Sequence, residues 1–323
     1  MKKITLLVLL FLSLFINQAN AQTINIDQIF TKKFKGNLIS SDDNFPDFSI
    51  GKDSMNFLLI SLHENINISN FKSKTKFSDT KLDSIIHFLE GKNFIHRIGN
   101  QYKPTVFVAD AEEEINLYKY ALPISKEIVE AVKVSLPSIE EKYTKSDLAQ
   151  TQTFNDWSFN ILSNVLMDNG QIKNVEQEFL KTTSRPQRNG KYYYLSLMES
   201  NDKNEPFAIY GKQIGAIHIN GNTKTGLKVT FIDNKLSFSD GKIFNKIAHD
   251  FLPHLLTILE SKRKYAENIY KEMGYSKEIT FNEFYIAWYH FIYTKAFNLM
   301  VEENLLKVSV GGNLIYQEET EPE

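Results

Sequence analysis

Residues 55–110 read MNFLLISLHENINISNFKSKTKFSDTKLDSIIHFLEGKNFIHRIGNQYKPTVFVAD, and the fold turns on how this stretch is parsed. Met55, Leu58, Leu59 and Leu62 recur at helical spacing behind Asp53 and Ser54, two residue types that cap helices. Asn67 to Phe71 opens a second short helix that ends near Lys76. Phe77-Ser78 makes the turn, with Ser78 as N-cap. Leu82, Ile85, Ile86 and Leu89 then form one apolar stripe, expected to pack on Leu58, Leu59 and Leu62. Gly91 is placed to stop that helix. Phe94 to Ile98 reads as a strand and Gly99-Asn100-Gln101 as a turn. Thr105 to Val108 reads as the returning strand, with Pro104 at its start, where a missing N–H does least harm.

Three short helices followed by a two-stranded wing resemble the winged helix-turn-helix superfamily, most closely its MarR-like shape. Residues 54–110 carry the resemblance, through pattern and turn placement. In DNA-binding members of such families the third helix enters the major groove and the wing touches the backbone. The resemblance therefore implies a groove face. Lys72, Lys74 and Lys76 lie on the second helix, Lys81 on the third, and Arg97 on the wing with Lys103. Those first five cations are the candidate partner-binding residues. Phosphate binding needs basic charge there. Asp79 and Asp83 offset part of it, and no Arg on the third helix is available to read guanine. The plainer reading is a solvated face on a unit used for packing or protein contacts.

The N-terminus favours the plainer reading. Lys2 and Lys3 precede an apolar run of 13 residues, Ile4 to Ile16, and Ala19-Asn20-Ala21 follows. That is the layout of a secretory signal peptide cut before Gln22. A membrane-spanning helix needs about 20 apolar residues. No Cys follows for lipid attachment, and the chain has no cysteine at all, so no disulfide contributes to its stability. Removing residues 1–21 leaves 35 basic against 39 acidic residues, a balance of −4. So mild a charge is no footprint for nucleic acid or an anionic membrane. Abundant Phe and Tyr with little Gly and Pro indicate an ordered globular chain.

The organisation read from the sequence is α+β. It comprises a signal peptide (1–21), an arm (22–53) and a winged-helix-like domain with an extra helix (54–145). A C-terminal α+β domain (154–317) and an acidic tail (318–323) complete it. The extra helix starts at Pro123 and is expected to end at Pro137. Beyond the polar boundary 143–153, Trp157 to Leu166 and Ile172 to Phe179 form amphipathic helices, the first stopped by Gly170. Tyr192 to Leu197, Phe207 to Tyr210, Ile214 to Ile219 and Leu227 to Ile232 read as strands, with Asn220-Gly221 and Asp233-Asn234 as turns. One long helix runs from Asp240-Gly241 to Gly274, kinked at Pro253. A second begins with the capping box Thr280 to Glu283 and is aromatic almost all round, which implies burial or a partner. Val308 to Val310 and Leu314 to Tyr316 read as a hairpin.

Two further sets could carry chemistry. Asp250, His254, Glu283 and His290 are metal-ligand types that would converge if the two long helices pair. Against this, Glu283 has a role in the capping box and no H-E-x-x-H is present. Arg185, Arg188 and Lys191 beside Tyr192 to Tyr194 could hold an anion or a single strand, but a solvated loop explains them more simply. No G-x-S-x-G, P-loop or G-x-G-x-x-G occurs, and no cofactor is implied. The expectation is an exported, periplasmic or extracellular, non-enzymatic protein that binds a protein partner, with no membrane span once the signal is removed. The alternatives are a DNA-binding regulator, which requires the N-terminus to be a retained anchor, and a hydrolase using the C-terminal domain.

Overall fold

The computed structural model describes residues 25–40, 44–168, 171–200, 209–214, 217–222, 227–232, 237–306 and 313–315. The expected signal peptide (1–21) and the acidic tail lie outside them, as do Gly170, Asp233-Asn234 and Val308 to Val310. The chain is a mixed α+β protein rich in helix. Among the described residues, no helix is long and apolar enough to cross a membrane.

The arm forms helix α1 (Ile26–Ile29) and strand β1 (Phe34–Ile39). Three helices follow: α2 (Met55–His63), α3 (Ile68–Thr75) and α4 (Asp79–Gly91). Ser78 caps α4 as expected, and Asn67, read as the opening of α3, caps it. Asn67 accepts from the Asn70 N–H, and Ser78 from the Lys81 N–H. Asp53 and Ser54 do not cap α2. Both adopt left-handed backbone, with φ of 51° and 58°, and neither side chain reaches the helix. Gly91 is the last residue of α4 rather than its stop, and the reversal falls on Asn93, at φ 55°. Leu82, Ile85 and Leu89 are buried in one cluster with Leu58, Leu59 and Leu62, while Ile86 is half-buried at its edge.

The wing differs in register from the sequence reading. Strands β2 (Ile95–Ile98) and β3 (Gln101–Pro104) pair directly, Ile98 opposite Gln101, with Gly99 at φ +59° in the connection. Pro104 ends the returning strand instead of starting it. The apolar run beyond it leaves the wing: strand β4 (Phe107–Ala109) pairs in parallel with strand β7 (Tyr194–Glu199). The reason is burial. Val106, Phe107, Val108 and Ala109 are all enclosed, which suits a strand covered on both faces and not a wing in water.

Strand β7 is the centre of a three-stranded sheet, flanked by β1 and β4. Alternation puts Val108, Leu195 and Leu197 into the core beneath α2–α4. Phe107, Ala109 and Tyr194 face a second, larger core. That core is built by α5 (Ala111–Tyr120), α6 (Leu122–Tyr143) and α7 (Phe154–Phe159), which continues as a π-helix to Val165. It also takes in α8 (Gln171–Asn174), likewise continued to Phe179, and a C-terminal trio. Pro137 lies inside α6 and does not end it. Ile139 and Tyr143 beyond it are buried against the C-terminal helices, and that burial outweighs one missing backbone hydrogen bond.

The C-terminal trio is α9 (Phe238–Ser261), α10 (Arg263–Glu272) and α11 (Phe281–Glu302). Helix α9 runs through Pro253, but the single helix expected to Gly274 is broken at Lys262. Helix α11 is buried on nearly every side, and its Trp288 indole donates to the Leu117 carbonyl at 2.9 Å. A two-residue ribbon pairs β5 (Gln187–Arg188) with β6 (Lys191–Tyr192). A separate four-stranded sheet comprises β8 (Ile209–Ile214), β9 (Ile217–Asn222), β10 (Leu227–Ile232) and β11 (Asn313–Ile315). Asn220-Gly221 lies within β9 and is not a turn, and β11 joins β10 in parallel; the first strand of the expected terminal hairpin, Val308 to Val310, lies outside the described residues.

Candidate functional site

The five candidate cations sit where the sequence placed them, on α3, α4 and the wing. Three are already matched by carboxylates. Lys72 pairs with Asp79, Lys74 with Asp27 at 2.6 Å, and Lys81 with Asp53 at 2.9 Å. Arg97 Nε donates to the Gly99 carbonyl within the wing. Lys76 ends α3 in left-handed backbone, at φ 57°. Each surface pair is worth little on its own, yet together they bring the face close to neutral. Its outer surface also exposes Phe88 on α4 and Ile98 at the wing tip. Phe88 stacks edge-on against Phe48, with the Lys92 ammonium over both rings.

The helical His/carboxylate set does not converge. Asp250 is held by Lys246 at 3.0 Å and Lys142 at 3.2 Å, and these ammoniums keep its carboxyl below the usual range. His254 is exposed beside Phe251. His290 Nδ1 lies 2.8 Å from the Ile286 carbonyl of its own helix. Glu283 does not close the capping box, although Thr280 caps α11. Its carboxylate instead binds Arg188.

That contact recasts the basic-aromatic loop. Arg188 is 3 % exposed and cannot grip a solvent ligand. It donates to the Asn93 carbonyl, to the Thr105 carbonyl at 2.7 Å and to Glu283, so it ties the wing base to α11. Arg185 is chelated by Glu176 at 2.8 and 3.2 Å. Lys191 lies in the short ribbon with Tyr192.

A charged cluster that the sequence reading did not single out lies where the two cores meet. His63, the last residue of α2, is clamped between two carboxylates. Its Nδ1 is 2.6 Å from Glu278 Oε2, and its Nε2 is 3.0 Å from Glu113 Oε2. Lys103 on β3 reaches Glu278 Oε1 at 3.0 Å and also donates to Asn65 Oδ1 and the Leu62 carbonyl. Asp110 caps α5 through the N–H groups of Glu112 and Glu113, and Glu113 closes the capping box. Lys32 of the arm binds Glu199 of β7 at 2.8 Å and Asp110 at 3.5 Å. The Tyr275 ring lies parallel to Phe107 and beside His63, and its hydroxyl donates to the Val108 carbonyl.

Electrostatics in the cluster favour protons. Burial opposes a charged His63, but Glu113 and Glu278 prevail and hold its pKa well above the ordinary value. Glu64 is pushed up to about 7, by burial first, with Asp110 and Glu113 adding and His63 opposing. Glu114 is pushed up to about 8 by burial and then by Glu199, Asp110 and Glu113. Glu114 is 4 % exposed, and its buried Oε1 has no hydrogen-bond partner. The visible sequence signal was the acidic run Asp110 to Glu114. The partners come from five other segments and show no local spacing. Compared with known proteins, the chain matches no protein-family model, no curated protein and no solved structure.

Proposed function

We propose that the chain is an exported, non-enzymatic protein whose residues 55–104 form a winged-helix-like unit that makes protein contacts. The order of three helices and a hairpin supports the winged-helix reading, and the N-terminal sequence supports export. The observation that carries the functional reading is the pairing of Lys72, Lys74 and Lys81 with Asp79, Asp27 and Asp53. A face already neutralised by its own carboxylates has few counterions to release from DNA and little affinity to gain there. The same face offers Phe88 and Ile98, the apolar anchors that protein interfaces use.

The test is a mobility-shift titration at physiological salt with protein beginning at Gln22. Duplex DNA should bind no better than the non-specific range, about 10⁻⁴ to 10⁻⁶ M. A nanomolar, sequence-selective complex lost in a Lys74/Lys76/Lys81 triple Ala variant would instead make the chain a DNA-binding regulator. Cell fractionation with N-terminal sequencing tests export: the mature protein should begin at Gln22.

A further inference from the structure

The cluster around His63 is placed to do more than fill space. It is the polar seam between the α2–α4 unit and the larger core, and it is out of electrical balance. Asp110, Glu113, Glu199 and Glu278 are each within ion-pair distance of Lys32, His63 or Lys103. Glu64 and Glu114 have no cation of their own among the described residues. As long as those two carry protons, the seam is nearly neutral. Once they ionise, two further negative charges share a poorly hydrated space with four carboxylates.

We propose that this seam is a proton-operated latch: protonated, it clamps the end of α2 and the wing onto α5 and the Tyr275–Ile279 turn, and on losing its protons it loosens that contact. This is a conformational control on the unit to which the function was assigned above, and it stands whether or not that assignment does.

The carboxylates facing Glu64 and Glu114 favour the protonated form of each. Glu114 meets Asp110 and Glu113 on its own helix, Glu199 from β7 and Tyr275 from the turn. Glu64 faces Asp110 and Glu113 across the seam, with His63 and Lys32 opposing. His63 faces Glu113 and Glu278, and Lys103 shares Glu278 with it. Removing a proton from Glu64 or Glu114 adds repulsion between α5, β7 and α2. Removing one from His63 deletes the cation between Glu113 and Glu278. Glu114 Oε1 is buried without a hydrogen-bond partner, so no donor at that oxygen offsets the charge once the group ionises.

Amide hydrogen exchange on the full chain reads the latch directly, because it separates local from global opening. The reporters are the amides of Glu64, Ile66, Glu278 and Ile279, which bond to Ile60, Ser61 and Tyr275 carbonyls at the seam. After correction for intrinsic rates, their protection should fall at least about tenfold between about pH 6 and about pH 9, and by more than that of amides within α9, whose loss is limited to the fall in global stability. In an E64Q/E114Q double variant the seam should stay protected at the higher pH. Unchanged wild-type protection, an equal fall throughout the chain, or a double variant that loosens as the wild type does would each overturn the proposal. Should the double variant fail to fold, the wild-type contrast between seam and α9 decides alone.

Discussion

Arg188 and Glu283 meet in the dark, one on a two-residue ribbon and the other in the first turn of α11, with side chains 2 % and 5 % exposed. The guanidinium also lies 5.0 Å from the Phe94 ring centroid and holds the Thr105 carbonyl, so one side chain fastens the wing base to the C-terminal helices. Burial pushes the Glu283 carboxyl up against the opposing pull of Arg188. Removing the cation alone leaves an uncompensated acid and takes the guanidinium donor from the Thr105 carbonyl, while the Asn93 carbonyl keeps the Thr105 hydroxyl. Arg188→Ala is therefore expected to cost about 3–5 kcal/mol, measured by urea unfolding at neutral pH. Arg185→Ala, whose Glu176 pair is nearer the surface, should cost less. Equal losses would deny Arg188 its bridging role.

The core beneath α4 gives a graded test. Ile85 is 4 % exposed beside Leu58 and Leu59, whereas Ile86 is only half-buried. Ile85→Ala should cost about 2–5 kcal/mol. Ile86→Ala should cost nearer 1 kcal/mol, since less apolar area is lost from the interior. Urea midpoints of the two variants measure the difference, and a reversed order would mean that α4 is rotated from the orientation described.

The stability of the whole chain should fall as pH rises. His63 has a folded pKa above its unfolded value, so its contribution is complete below about 6.5 and disappears as pH climbs through the folded value. Glu64 and Glu114 hold protons in the folded state up to about 7 and about 8, and the unfolded chain releases them near 4.5. All three groups therefore bind protons more tightly when folded, and stability declines between about pH 5 and about pH 9. Glu114→Gln should reduce that decline. It should match the wild type at about pH 5 and exceed it by about 1–3 kcal/mol at about pH 9, less than a fully dry carboxyl would give. Urea midpoints across that range measure it. A variant that falls as steeply as the wild type would remove Glu114 from the account.

What the sequence made legible were features with local causes. The starts of α3 and α4 were visible, at Asn67 and at the cap residue Ser78 ahead of an apolar stripe. The wing register was not, because Val106 to Val108 look like a return strand until β7, some 90 residues on, is known to claim them. Pro137 was read as a stop, and only packing of Ile139 and Tyr143 explains why the helix continues. The lysines of α3 and α4 were found, but their neutralisation by Asp27 and Asp53 depends on how the arm folds back. The His63 cluster was missed for the same reason. His63 and Glu278 are 215 positions apart, and His63 and Glu113 are 50 apart. No spacing rule spans such intervals, whereas a catalytic or metal motif on one helix would have been visible.

The placement of β7 at the middle of the shared sheet also sets a condition on biosynthesis. The cluster under α2–α4 is closed by Tyr193, Leu195 and Leu197. A nascent chain that has emerged only as far as α6 has every helix of that unit but still shows water the side chains of Val106 and Val108. The first third of the polypeptide must wait, partly open, for a strand made much later. If the chain is threaded across a membrane as it is made, that waiting interval is when a chaperone would find it.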